Sequence, residues 1–133
     1  MSSNLMQGKR GLIMGLANDK SIAWGIAKAC ADAGAELAFS YQGDALKKRV
    51  DPLAASLGSD IVLPCDVSDM DSVNALFASL EEKWGKLDFV VHAIGFSDKG
   101  ELRRRYVDTS REHCLTSMDT SLLSFTAGLT RTA

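Results

Sequence analysis

The sequence lacks most of the features that mark membrane, secreted or nucleic-acid-binding proteins. Its three cysteines, at positions 30, 65 and 114, form no Cys-x-x-Cys pair, so the sequence indicates no metal site and favours a reducing compartment. No run approaches the roughly 20 apolar residues of a membrane span, and residues 1–10 lack an apolar signal region. A net charge of −2, with no basic stripe beyond the arginines at 103–105, disfavours nucleic acid as a partner. We therefore expect a soluble, cytoplasmic protein.

The compact dinucleotide-binding motif Gly-x-Gly-x-x-Gly is also absent. Instead, Gly15 and Gly25 are too far apart for that turn, and the loop between them follows an apolar run and opens a helical pattern at Ile22. A strand, a loop with glycine and serine, and a helix N-terminus together bind phosphate, because free backbone N–H groups point at the anion. The sequence predicts a stretched phosphate-binding loop that uses Gly15 and Ser21. The alternative is that Gly15 is only a turn glycine.

Apolar runs and helical patterns alternate along the chain, and the composition, 46% apolar and 24% charged, is ordinary for a globular protein. Strands are predicted at residues 10–15, 36–41, 60–64 and 87–92. Helices are predicted at residues 22–33, 43–57, 68–84 and 111–129, with residues 95–110 as a charged loop. Ser21 and Ser68 are the expected N-caps, and Pro52 is expected to kink or break the second helix.

Short apolar strands separated by helices predict an α/β fold in which a doubly wound parallel sheet is covered on both faces. Right-handed crossovers give the Rossmann-like strand order 3-2-1-4. We expect residues 1–133 to form the dinucleotide-binding part of a single Rossmann-like domain. Because the fourth strand is left as an open edge, the chain is expected to be incomplete as a domain.

Ligands of such sheets lie beyond the carboxyl ends of the strands, and four of these ends carry suitable residues. The predicted phosphate loop follows strand 1, Gln42 follows strand 2, Asp66 follows strand 3, and Gly95 lies shortly after strand 4. Asp66 suits the amino group of an adenine, although Asp-Val-Ser before a helix is also good capping or turn chemistry. His92 is interpreted as a packed histidine at a strand end rather than as a base. The neutral Gln42 favours NAD(H) over NADP(H).

Residues 15–28, together with 40–42, 65–67 and 92–96, resemble bacterial NADH-dependent enoyl-[acyl-carrier-protein] reductases. These are divergent short-chain dehydrogenases/reductases of fatty acid biosynthesis. The resemblance covers nearly all of the chain, including residues 105–110 and 118–119. The stretched loop is its specific element, whereas the Asp-Val pair at 66–67 is shared more widely among short-chain reductases.

The resemblance implies a cofactor, a substrate and an assembly. It implies NADH, contacted by Gly15, Ser21, Ile22, Gln42, Asp66, Val67, Ile94 and Gly95. It places Phe96 and Ser97 beside the nicotinamide and an enoyl substrate that is carried on acyl carrier protein. The last helix matches one that packs between the subunits of a homotetramer.

The family's chemistry uses a tyrosine with a lysine seven residues later, and this pair is not recognised here. Tyr106 is followed at that spacing by His113, and Tyr41, which is followed by Lys48, ends strand 2 on the adenosine side. We assign no catalytic residue and expect the 133-residue chain to bind dinucleotide weakly without reducing enoyl thioesters.

Three other functions stay open at the level of sequence. One is a non-catalytic dinucleotide-binding module. A second is another short-chain dehydrogenase/reductase, against which the missing Thr-Gly-x-x-x-Gly-x-Gly arrangement argues. The third is an interaction protein that has lost ligand binding, which the intact Gly15, Ser21, Gln42 and Asp66 disfavour.

Overall fold

A computed structural model describes residues 4–127 and divides the chain into two compact units, Met1–Ala93 and Ile94–Ala133. The first unit contains, in chain order, β1 (Arg10–Met14), α1 (Ile22–Asp32), β2 (Glu36–Tyr41), α2 (Asp44–Ser56), β3 (Val62–Pro64), α3 (Met70–Trp84) and β4 (Phe89–His92). The second contains two 3₁₀ turns (Glu101–Arg103 and Tyr106–Asp108), α4 (Arg111–Met118) and a π-helical turn (Asp119–Leu123).

The strands form one parallel sheet with the order β3-β2-β1-β4, which confirms the predicted 3-2-1-4 arrangement. Met14 is in register with Ser40 on one side and with His92 on the other, and Tyr41 is in register with Pro64. All four strands therefore end at one edge of the sheet, the edge at which α/β proteins bind ligands. We call it the carboxyl edge.

The core lies along the two central strands, which are the most buried. Leu12, Ile13 and Phe39 have no exposed surface. The helices bury alanines, such as Ala27 of α1 and Ala54 of α2, together with larger apolar residues, such as Leu76 of α3. Burial of both faces explains why the central strands read as continuous apolar runs rather than as alternating patterns.

Arg10 ties the opposite, amino edge of the sheet together. Its guanidinium donates to the carboxylate of Glu36 at 3.0 Å and to the carbonyl oxygen of Trp84 at 2.8 Å, and it lies 5.8 Å from the centre of the Trp84 ring. Its backbone N–H donates to Asp88 at 2.9 Å, and this bond, with help from Lys86, lowers the pKa of the Asp88 carboxyl. One side chain thus links β1, β2 and the end of α3.

Several predicted boundaries differ from the structure. The N-cap of α3 is Asp69, whose carboxylate accepts from the N–H of Asp71, so the prediction of Ser68 as the cap was wrong. The helix α2 continues through Pro52 without a break. The predicted last helix begins at Arg111, as α4, continues through a π-helical turn at Asp119–Leu123 and is α-helical again at residues 124–127. Its predicted end at 128–129 lies outside the described residues. Within residues 4–127, every helix is too short or too polar to cross a membrane.

Candidate functional site

Gly15 begins the loop between β1 and α1 in a conformation that requires glycine. Its φ is +97°, and a Cβ on this residue would overlap the backbone carbonyl of Ala93. Ala93 is held there because its own N–H donates to the carbonyl oxygen of Met14 at 3.1 Å. The missing side chain therefore lets the chain leaving β4 approach the start of the loop.

Ser21 closes the loop from its other end. It occupies the N-cap position of α1, as predicted, but its hydroxyl does not cap the helix. Instead, the hydroxyl oxygen accepts the N–H groups of Ala17 and Asn18, both at 3.1 Å. Within residues 4–127, the N–H groups of Ile22 and Ala23 have no acceptor, so the first turn of α1 has free donors at the carboxyl edge.

Asn18 is a further loop residue that the sequence reasoning missed. Its side-chain oxygen accepts the N–H of Lys20 at 2.8 Å, and its carbonyl oxygen accepts the N–H of Ser21 at 3.2 Å. This is an Asx turn, in which an asparagine side chain accepts the backbone N–H two residues on, so an asparagine within the loop would have been the signal. The stretched loop is thus braced by its own polar groups.

Gln42 lies exposed directly after β2, followed by Gly43 with a φ of +85° and by α2. The residue directly after the strand is thus uncharged, the first carboxylate is that of the exposed Asp44 at the start of α2, and the basic residues 47–49 are exposed on the same helix. The end of β2 therefore presents a neutral amide, as the sequence indicated.

Asp66, after β3, is half-buried and is held at both its backbone and its side chain. Its N–H donates to the hydroxyl oxygen of Ser72 at 2.8 Å, and its Oδ1 accepts the N–H of Ser68 at 3.0 Å and the hydroxyl of Ser68 at 2.6 Å. One carboxylate oxygen therefore serves the turn. Val67 is 6% exposed, so its side chain packs in the interior and only its backbone is placed to meet a ligand.

Two titratable groups near the carboxyl edge stay uncharged at neutral pH. Burial raises the pKa of the Cys65 thiol to about 11, although a hydrogen bond with Ser72 opposes the shift. Burial lowers the pKa of His92, at the end of β4. A neutral histidine and a protonated thiol fit packing roles better than roles as a base or a nucleophile.

Ile94, Gly95 and Ser97 belong to the second unit. In this unit the N–H of Phe96 donates to the Ser121 hydroxyl oxygen at 2.9 Å. A Cβ on Gly95 would lie at an ordinary 3.8 Å from the same oxygen, so glycine is not sterically required there. Ser121, which anchors the segment at Phe96, had no signal in the sequence.

A serine, a histidine and a carboxylate also meet in the second unit. The hydroxyl of Ser110 lies 2.6 Å from Nδ1 of His113, and Oε1 of Glu101 lies 3.2 Å from the same nitrogen. A catalytic triad needs the serine and the acid on opposite ring nitrogens. Because both groups here share Nδ1, this cluster does not activate the serine as a nucleophile.

Comparison with known proteins identifies the family of this chain. The family model described as Enoyl-(Acyl carrier protein) reductase matches residues 15–133. The enoyl-[acyl-carrier-protein] reductase [NADH] 1 of Rhizobium meliloti is 64% identical over 126 residues, which cover 95% of this chain and 46% of that relative.

Two solved structures show the same similarity. The enoyl-(acyl-carrier-protein) reductase of Anaplasma phagocytophilum in complex with NAD matches with a TM-score of 0.95 and 56% identity, over 99% of this chain and 50% of that one. FabI from Candidatus Liberibacter asiaticus matches with a TM-score of 0.96 and 54% identity, over 99% of this chain and 51% of that one. The chain spans about half the length of these relatives. On these matches, the chain belongs to the enoyl-(acyl carrier protein) reductase family.

Proposed function

We propose that this chain is the NADH-binding part of an enoyl-[acyl-carrier-protein] reductase, an oxidoreductase that reduces the trans-2-enoyl thioester double bond in fatty acid biosynthesis. The observation that carries the proposal is the loop at Gly15–Ser21, whose internal bonds leave the first N–H groups of α1 free at the carboxyl edge. The Anaplasma phagocytophilum relative in complex with NAD supports it.

The residues of the first unit fit the parts of a dinucleotide. The free N–H groups of Ile22 and Ala23 and the positive end of the α1 dipole suit the pyrophosphate, and Gly15 begins the loop that leads to them. The neutral Gln42 suits a ribose that carries no 2′-phosphate, and Asp66 suits an adenine amino group. A bound NADH would supply the hydride.

In the second unit we propose that Ile94 and Gly95 contact the cofactor and that Ser97 lies beside the substrate. We place the reacting tyrosine and lysine in the part of the relatives that this chain does not span. By the same resemblance, residues 1–133 form part of a single Rossmann-like domain. The substrate is then carried on acyl carrier protein, and the whole protein is a cytoplasmic homotetramer.

Titration of NADH into the purified chain, followed by calorimetry, tests cofactor binding. We expect saturable binding with a Kd of about 0.1–1 mM, because only part of the relatives' length contributes contacts. Ser21→Ala removes the brace of the loop and should weaken binding about tenfold, equivalent to the loss of one or two hydrogen bonds. Ser56→Ala is the control, since this serine bonds only the Leu53 carbonyl at the end of α2.

Two results would contradict the proposal. If a folded chain shows no saturable binding of NADH, the chain does not carry the proposed cofactor site. Turnover of crotonyl thioester with NADH by this chain alone would overturn the assignment of the reacting groups to the part that it does not span.

A further inference from the structure

The two oxygens of the Asp66 carboxylate have different surroundings. Oδ1 accepts two hydrogen bonds, both from Ser68: the N–H at 3.0 Å and the hydroxyl at 2.6 Å. The second distance is typical of a charge-assisted O–H···O⁻ bond, which is stronger than a bond between neutral groups. Ser68 therefore occupies Oδ1 with two hydrogen bonds and holds the carboxylate group in one rotational position.

Ser68 is free to do this because it does not cap α3. That cap is supplied by Asp69, whose carboxylate accepts the N–H of Asp71 at 3.0 Å. At the same time, the hydroxyl of Ser72 holds the backbone N–H of Asp66 at 2.8 Å. The main chain and the side chain of Asp66 are thus fixed by two different serines.

The second oxygen, Oδ2, is left available. Within residues 4–127 no donor reaches it, and it is not enclosed either, because the single buried side-chain oxygen without a partner in that part of the chain is Oε2 of Glu101. Oδ2 is therefore an acceptor that is not fully buried and that receives no donor from the described residues, just beyond β3 at the carboxyl edge. A carboxylate oxygen in this position accepts a hydrogen bond from an N–H group of a ligand.

We propose that Ser68 is a positioning residue for adenine recognition: by holding Oδ1, it presents Oδ2 of Asp66 to the exocyclic amino group of the base. The inference rests on the proposed NADH site and names a residue of that site which no motif assigned. It predicts that discrimination at one atom of the base depends on the hydroxyl of Ser68.

Deamino-NADH tests this, because its hypoxanthine base carries a carbonyl oxygen where adenine carries the amino group. An acceptor facing an acceptor is repulsive, so the wild-type chain should prefer NADH over deamino-NADH by about tenfold in Kd. Ser68→Ala should weaken NADH binding about fivefold and change deamino-NADH binding by less than about twofold, thereby reducing the preference. Ser68→Thr retains the hydroxyl and should restore the preference.

The outcomes separate the inference from the proposed function. If the wild-type chain binds neither dinucleotide, the proposed function is wrong. If it prefers NADH and Ser68→Ala retains the full preference, the role of Ser68 is wrong and the cofactor site stands. If the wild-type chain binds NADH and deamino-NADH equally, Asp66 does not contact the amino group. Circular dichroism checks the fold of each variant, and Ser68→Gly provides a second protein without the hydroxyl.

Discussion

The carbonyl of Ala93 fills the space that a side chain on Gly15 would need. The two residues are far apart in sequence, yet they meet because β4 lies beside β1 and Ala93 bonds the last residue of β1. The glycine that begins the loop between β1 and α1 is therefore required by the packing of the chain itself. Its role in stability can be measured without any ligand.

Gly15→Ala should lower the free energy of unfolding by about 2–4 kcal/mol, because the residue has a φ of +97° and its Cβ would collide with backbone. Urea denaturation measures the loss. Gly25→Ala is the control. Gly25 lies in α1, where an added Cβ would have no neighbouring atom within 4 Å apart from the helix's own backbone, so this substitution should stabilise the chain by up to about 1 kcal/mol. Equal stability of Gly15→Ala and wild type would refute the packing role.

Arg10→Ala should destabilise the chain by about 2 kcal/mol, since it removes the bond to the Trp84 carbonyl and the contact with the Trp84 ring. Glu36→Gln should cost less than about 0.5 kcal/mol, because the ion pair at 3.0 Å is largely exposed and screened by solvent. Thermal or urea unfolding of both variants compares the two contributions. A larger loss for Glu36→Gln than for Arg10→Ala would show that the ion pair dominates instead.

The lowered pKa of His92 predicts a loss of stability on acidification. Burial favours its neutral form in the folded chain, so the unfolded chain binds the proton more readily and folding weakens as the pH falls below 6.5. Proton NMR should show its titration midpoint below that value. Unfolding measured between pH 5 and 7.5 should be less acid-sensitive in His92→Gln than in wild type, with His113→Gln as the control for the other histidine. A midpoint above 6.5 would contradict the assignment.

The raised pKa of the Cys65 thiol predicts a loss of stability at high pH. Its folded pKa of about 11, raised from 9.0 mainly by burial, means that its contribution to stability is complete below pH 9 and is lost as the pH rises towards 11. Cys65→Ala should flatten this decline in urea unfolding curves.

In the native chain at pH 8, the exposed Cys114 should react with a thiol reagent much faster than Cys65, which is 5% exposed. Equal rates for the two thiols would contradict the burial.

The architecture could be predicted because it depends on patterns that are visible along the chain. Continuous apolar strands between helices predict a parallel sheet, and the handedness of the crossovers then gives the order of the strands. The position of the loop between β1 and α1 followed from Gly15 and Ser21 in the same way.

The polar contacts could not be predicted to the same depth. Around α3, Asp66, Ser68 and Asp69 all have good capping chemistry, and only the folded backbone decides which oxygen meets which N–H. The contact of Gly15 with Ala93 depends on a pairing of distant strands. The π-helical turn after Met118 has the same apolar spacing as an α-helix, so the pattern gives no sign of it.

The most direct test of the proposed cofactor site is an NMR titration of NADH into the isotope-labelled chain. We predict saturable shifts of backbone amides at the carboxyl edge, concentrated at Ser21, Ile22, Ala23, Gln42, Asp66 and Ser68. Amides at the amino edge, around Arg10 and Asp88, should change little. Saturating NADH that shifts no amide of a folded chain, or that shifts only those of the amino edge, would contradict the central claim that this chain carries the cofactor site of an enoyl reductase.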